Sequence, residues 1–193
     1  MTYLGGRYKI EVTLEKEDTM KKIIIAVTAC MLLYGCNLFL AQPTVEFNRT
    51  AFDRAQTAWE AQGITSYTFE AREFPGTPLP FFRITVTDGE ITDVENIDEW
   101  FYWLDENPEA LETYVASIKR MGTIPAVFDW IAYQYNAYRA RLGTLERGES
   151  FRVDVTYNEV YNFPEMVSLS ISSPRPINGG WSYFEIRNFQ PIR

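Results

Sequence analysis

Between Met20 and Cys36 the chain reads M-K-K-I-I-I-A-V-T-A-C-M-L-L-Y-G-C, and this stretch decides how much of the 193 residues is left to build a fold. Lys21 and Lys22 stand before a run, Ile23 to Tyr34, that carries no charge, and the run ends at Gly35-Cys36. A cationic start, an apolar segment of about 7 to 15 residues and a small residue before the cut make the plan of a secretory signal, which is removed. Two readings compete with it. A membrane-spanning helix needs about 20 apolar residues, more than this run supplies, and a buried core helix would also accept Ile23-Ile24-Ile25.

The cysteine at the end adds a chemical fate. Leu33-Tyr34-Gly35-Cys36 resembles a lipobox, the site at which lipoprotein signal peptidase cuts before a cysteine carrying diacylglycerol on its sulfur. Tyr34 is bulky for its place there, and Val27-Thr28-Ala29-Cys30 matches better by residue type, but a cut at Cys30 leaves too short an apolar run. Cys36 is therefore the expected lipidation site. Residues 1–19 are net acidic, with Glu11, Glu15, Glu17 and Asp18 against Arg7, Lys9 and Lys16, which no signal's start should be. They read as an upstream extension before a true start at Met20. The alternative is a genuine extension in which Tyr8 to Leu14 alternates like a short strand. The expected layout is 1–19 extension, 20–35 signal peptide, 36–47 acylated cysteine and tether with Pro43 discouraging regular structure, and 48–193 one domain.

Charge then narrows the partners. Residues 1–36 hold 5 of the 18 basic and 4 of the 26 acidic side chains, so 13 face 22 in the remainder and its net charge is −9. Nucleic acid is excluded as a partner, because neutralising phosphates takes clustered Lys and Arg. Anionic headgroups repel such a domain, so its expected membrane contact is through the acyl chains on Cys36, several of which hold where one binds reversibly. The chain has no histidine and its two cysteines are Cys30 and Cys36. The commonest general base, the commonest zinc ligand and disulfide chemistry are thus missing from the domain.

Periodicity sets the fold class. Asn48 caps a helix to Gln62 with Phe52, Ala55 and Trp59 on one face and Gly63 as its stop. Ser66 to Arg72, Phe81 to Thr87 and Glu90 to Val94 alternate as strands, with Pro75 to Pro78 breaking the first from the second and Asp88-Gly89 as the hairpin turn. Pro108 to Arg120 spaces Leu111, Tyr114, Val115 and Ile118 helically. Thr123 caps a longer helix with Pro125 in its first turn and Ile124, Val127, Phe128, Ile131, Tyr135, Tyr138 and Leu142 as its apolar stripe, closed by Gly143. Phe151 to Tyr157, Met166 to Ser172 and Trp181 to Phe189 are three further strands. The expected fold is α+β, in the order α-β-β-β-α-α-β-β-β: an antiparallel sheet from two three-stranded meanders with helices packed on one face.

Several fragments together carry a resemblance: Trp59 to Glu70 (W-E-A-Q-G-I-T-S-Y-T-F-E), Ile84 to Ile91 (I-T-V-T-D-G-E-I), Ile124 to Asp129 (I-P-A-V-F-D), Val153 to Asn158 (V-D-V-T-Y-N), Phe163-Pro164 and Ile171. In order and spacing they resemble the family known as domain of unknown function 6174. The resemblance implies a secreted or lipid-anchored bacterial protein and supplies no catalytic residue. Many relatives place cysteines just after the first strand, where this chain has Ala71 to Pro75, and Asp98 to Arg120 reads as an insertion that would suit a lineage-specific role.

Within that insertion lies the densest aromatic run, Trp100, Phe101, Tyr102 and Trp103, flanked by Asp98, Glu99, Asp105 and Glu106. These four rings are the candidate binding residues, as a sugar or peptide platform; the competing reading has two of them capping the sheet core. Asp93, Glu95, Asp98 and Glu99 lack the spacing and glycine turn of a calcium loop and read as a solvated face, so no metal and no cofactor is expected. Ser66 and Ser150 have no histidine to activate them. The sequence thus points to a lipid-anchored envelope protein, on the outer or the cytoplasmic membrane, whose domain contacts a protein or a ligand without catalysis. A carboxylate-based hydrolase or a glycan binder using residues 98–106 is the alternative.

Overall fold

The computed structural model of the chain describes residues 42–74, 79–99, 101, 106–173 and 181–192. Cys36, Trp100, Tyr102 and Trp103 lie outside them, as does everything before Gln42.

Alternation of apolar and polar residues produces a seven-stranded sheet. Its strands are β1 (Thr44–Phe47), β2 (Tyr67–Phe74), β3 (Phe82–Thr87), β4 (Glu90–Asn96), β5 (Ser150–Tyr157), β6 (Pro164–Ser172) and β7 (Trp181–Pro191), in the spatial order β1-β5-β6-β7-β2-β3-β4. Both expected meanders are present, and they join through an antiparallel pairing of β7 with β2. The sheet is mixed rather than purely antiparallel, because β1 runs parallel to β5 with Thr44 opposite Ser150 and Phe47 opposite Val153. This strand corrects the expected element order, which began with a helix, and converts the end of the supposed tether into sheet. Phe47 explains why it docks: its ring meets Phe52 at 5.3 Å and Tyr135 at 4.9 Å between centroids, so the strand brings its own anchor into the core.

Among the described residues three α-helices cover one face: α1 (Arg49–Glu60), α2 (Pro108–Lys119) and α3 (Ile124–Ala140), followed by a short 3-10 turn, Leu142–Thr144. Each begins at the residue whose side chain satisfies an otherwise unpaired helix amide: Asn48 accepts from Ala51, Asn107 from Ala110 and Thr123 from Ala126. Phe52, Ala55 and Trp59 of α1 and Ile124, Val127, Phe128 and Ile131 of α3 are buried against Tyr67, Phe69, Ile84, Phe151, Val167 and Phe184 of the sheet. Leu142 departs from the expected stripe. It falls in the 3-10 turn and is exposed. Gly122 makes the tight passage from α2 to α3, where a Cβ would stand 2.5 Å from Ile91 Cδ1 on β4. The phenol of Tyr67 accepts from the amide of Ile124 at 3.0 Å, pinning the start of α3 to β2, and burial raises its pKa against the lowering effect of that bond.

The other face of the sheet is polar, and a bulge shapes it. Glu70 of β2 faces Arg187, while the register shifts between Thr68 and Glu70. Asn188, at φ 52°, is the extra residue, so Arg187 and Asn188 both address Glu70 and Phe189 returns to the core among Trp59, Tyr67 and Phe163.

Candidate functional site

α3 carries a second set of residues beside its core stripe. Trp130, Tyr133 and Gln134 lie along the adjoining flank, and with Tyr138 of the stripe they line a cleft of about 580 Å3 between α3, the end of α2 and the sheet. That volume falls within the range of small-molecule sites, about 300 to 1,000 Å3. Phe151, Leu169 and Ile171 supply its sheet side, with Tyr138 stacked on Phe151 at 3.5 Å between centroids and 7° between planes. Tyr133 stands at the opening, 68% exposed.

One wall is polar by consequence of strand parity. Tyr67, Phe69 and Ala71 point into the core from β2, and the next residue of that parity is Glu73, opposite Phe184. At the strand's end it meets α2 instead of apolar neighbours. Ser117 Oγ donates to Glu73 Oε2 at 2.5 Å and accepts from Arg120 Nη2 at 2.9 Å, so the hydroxyl ties a carboxylate to a guanidinium. Among the described residues Arg120 has no carboxylate partner of its own. Glu73 and Arg120 also border a wider hollow of about 760 Å3 with Glu109, Glu112 and Tyr114. Glu109 and Glu112 are exposed, and no group of three or more His, Cys, Asp or Glu among the described residues could hold a metal ion.

The most desolvated carboxylate is elsewhere. Glu70, 8% exposed, sits on the polar face of the sheet, accepting from Arg187 Nε and Asn188 Nδ2 at 2.8 Å each and, more distantly, from Arg83 at 3.5 Å. Burial pushes its pKa up, but the hydrogen bonds from Arg187 and Asn188, the Arg187 charge and the Arg83 contact outweigh it and hold the carboxyl below its ordinary value. Arg187 in turn lies 3.5 Å over the ring of Phe81, and Arg72 lies 4.4 Å from the same ring. An acid held ionised by three donors on an open sheet face is a structural counter-ion, unsuited to giving up or taking a proton near neutral pH.

Of the sequence-derived binding residues, Trp100, Tyr102 and Trp103 lie outside the described residues. Phe101 is half-buried, its amide bonded to the carbonyl of Asp98 at 2.9 Å. Tyr138 and Phe151 of the cleft belong to apolar patterns in the sequence, while Glu73, Trp130 and Gln134 stand in no pattern that marks them for binding. Two weaker signals point to the cleft: Trp130 and Gln134 are four apart on the flank of an already satisfied stripe, and the parity of β2 turns Glu73 inward.

The architecture and the cleft define an α+β domain with a half-open, aromatic-lined binding site on its helical side. The family of unknown function DUF6174 matches residues 51–191, and the chain belongs to that family. The match begins inside α1, so β1 lies outside it. Comparison with curated proteins and with solved structures returned no match.

Proposed function

We propose that the protein is a lipid-anchored component of a bacterial envelope that binds a ligand or partner in the cleft and carries out no catalysis. The observation that carries this reading is the cleft itself: aromatic rings beside a carboxylate and a guanidinium whose positions Ser117 fixes. Anchorage rests on the sequence, on Lys21-Lys22, the uncharged run to Tyr34 and Gly35-Cys36. No helix among the described residues is long and apolar enough to cross a membrane. The hydrolase alternative needs two carboxylates facing each other across a substrate. Among the described residues Glu73 is the one carboxylate lining the aromatic cleft, and Glu70 is committed to Arg187 on the far side of the sheet.

Fractionation of cells making the native chain and a Cys36→Ser variant tests the anchor. The native protein should sediment with membranes and the variant should not. A variant that still sediments with membranes contradicts the reading.

A further inference from the structure

We propose that the ligand of the cleft is a neutral saccharide, an inference that rests on the cleft being the binding site. Trp130 and the largely exposed Tyr133 line the cleft together with Tyr138 and Phe151, which stack on each other. The negative face of an aromatic ring attracts the weakly positive C–H groups that a pyranose presents on one side. A purely apolar ligand would satisfy these rings, but it would offer no group to hydrogen-bond with the polar edge that Glu73, Ser117 and Arg120 form.

The polar wall selects further. Glu73 is an acceptor only, Arg120 is a donor only, and the two are tied through one hydroxyl, so the wall is neutral in sum and carries both hydrogen-bonding senses within a few ångströms. Adjacent hydroxyls of a sugar match it: one donates to the carboxylate while its neighbour accepts from the guanidinium. An anionic ligand would suit Arg120 but meet Glu73, in a protein that is already net negative. A cationic ligand would suit Glu73 and meet Arg120. Gln134 and Ser182, which also line the cleft, add groups that donate and accept. Placed at the opening and largely exposed, Tyr133 would form the outer stacking surface for a chain longer than one ring.

The test is a calorimetric titration of the full chain in detergent micelles. The probes are a panel of neutral oligosaccharides with N-acetylglucosamine, glucose, mannose and galactose ends, and phenylacetate and an anilinonaphthalene dye as anionic and apolar controls. Tyr133→Ala is the main variant, because an exposed side chain can be removed without loss of fold; Glu73→Gln removes the charged acceptor while keeping the shape. At least one oligosaccharide should bind the native chain, and both variants should weaken it about tenfold or more, Tyr133→Ala with an unchanged melting temperature. No saccharide binding, or binding that Tyr133→Ala leaves intact, overturns the inference. If a control binds instead in a Tyr133-dependent way, the saccharide fails while the cleft stands as the site. If no probe responds to either variant, both fail.

Discussion

Glu70 and Tyr157 are both desolvated, and they have opposite effects on stability because one is partnered and the other is not. Changing Glu70 to Gln would leave Arg187 and Asn188 in place but remove the charge they surround, at a cost of about 2 kcal/mol for a hydrogen-bonded charge lost from a partly buried pair. The pH dependence has a fixed sign. The folded-state pKa of Glu70 lies below its ordinary value of 4.5, so its contribution is fully present above that value and is lost as the pH falls through the lower, folded one. Urea midpoints measured from pH 6 down to pH 3 should therefore fall more steeply for the native chain than for Glu70→Gln, and parallel curves would contradict the assignment. Tyr157 presents the reverse case. Its hydroxyl is buried with no hydrogen-bond partner among the described residues, and burial together with the Asp53 charge pushes its pKa up to about 12. Tyr157→Phe removes an unpaired polar atom and should leave stability unchanged or raise it by about 1 kcal/mol. A loss of that size would mean the hydroxyl has a partner in solution.

At the scale of elements, β1 is the piece whose role is least obvious from its own residues. Four residues, T-V-E-F after Pro43, carry too little local pattern to distinguish a strand from a tether. What makes them a strand is a partner a hundred residues away, since the register is set by Ser150 to Val153 and by the pocket that Phe52 and Tyr135 form for Phe47. The helices and the six other strands were legible because their signals are local: an Asn or Thr cap, a stripe at steps of three and four, an Asp88-Gly89 turn. The cleft was less so. Periodicity marks which residues avoid water but not how far apart two helices stand over a sheet, and that gap is what leaves Trp130 and Gln134 facing open space. Glu73 was visible in principle through the parity of β2, yet a glutamate at the end of a strand reads locally as a solvated edge. If Phe47 is the anchor of β1, Phe47→Ala should cost about 2 kcal/mol by urea unfolding, below the roughly 3–5 kcal/mol of a fully buried aromatic because the ring is half-buried. A change within 0.5 kcal/mol, a typical surface value, would show that β1 contributes little to stability.

For the molecule as a whole, the division of labour between two sheet faces is the main result. The helical face holds the core and the cleft; the opposite face is closed by its own ion pairs, with Glu70 to Arg187 and Glu185 to Arg72 crossing from β2 to β7 and Arg83 extending the ladder to Glu95 on β4. Such a face has satisfied its charges internally and offers little for a ligand to replace. The site should therefore be found on one side only. Nuclear magnetic resonance of the full chain, titrated with a soluble extract of the bacterial envelope, tests this most directly. The amides and side chains that shift should cluster around Glu73, Ser117, Arg120, Trp130, Tyr133 and Ser182. Shifts centred on Glu70, Arg83 and Arg187, or spread evenly over both faces, would contradict it.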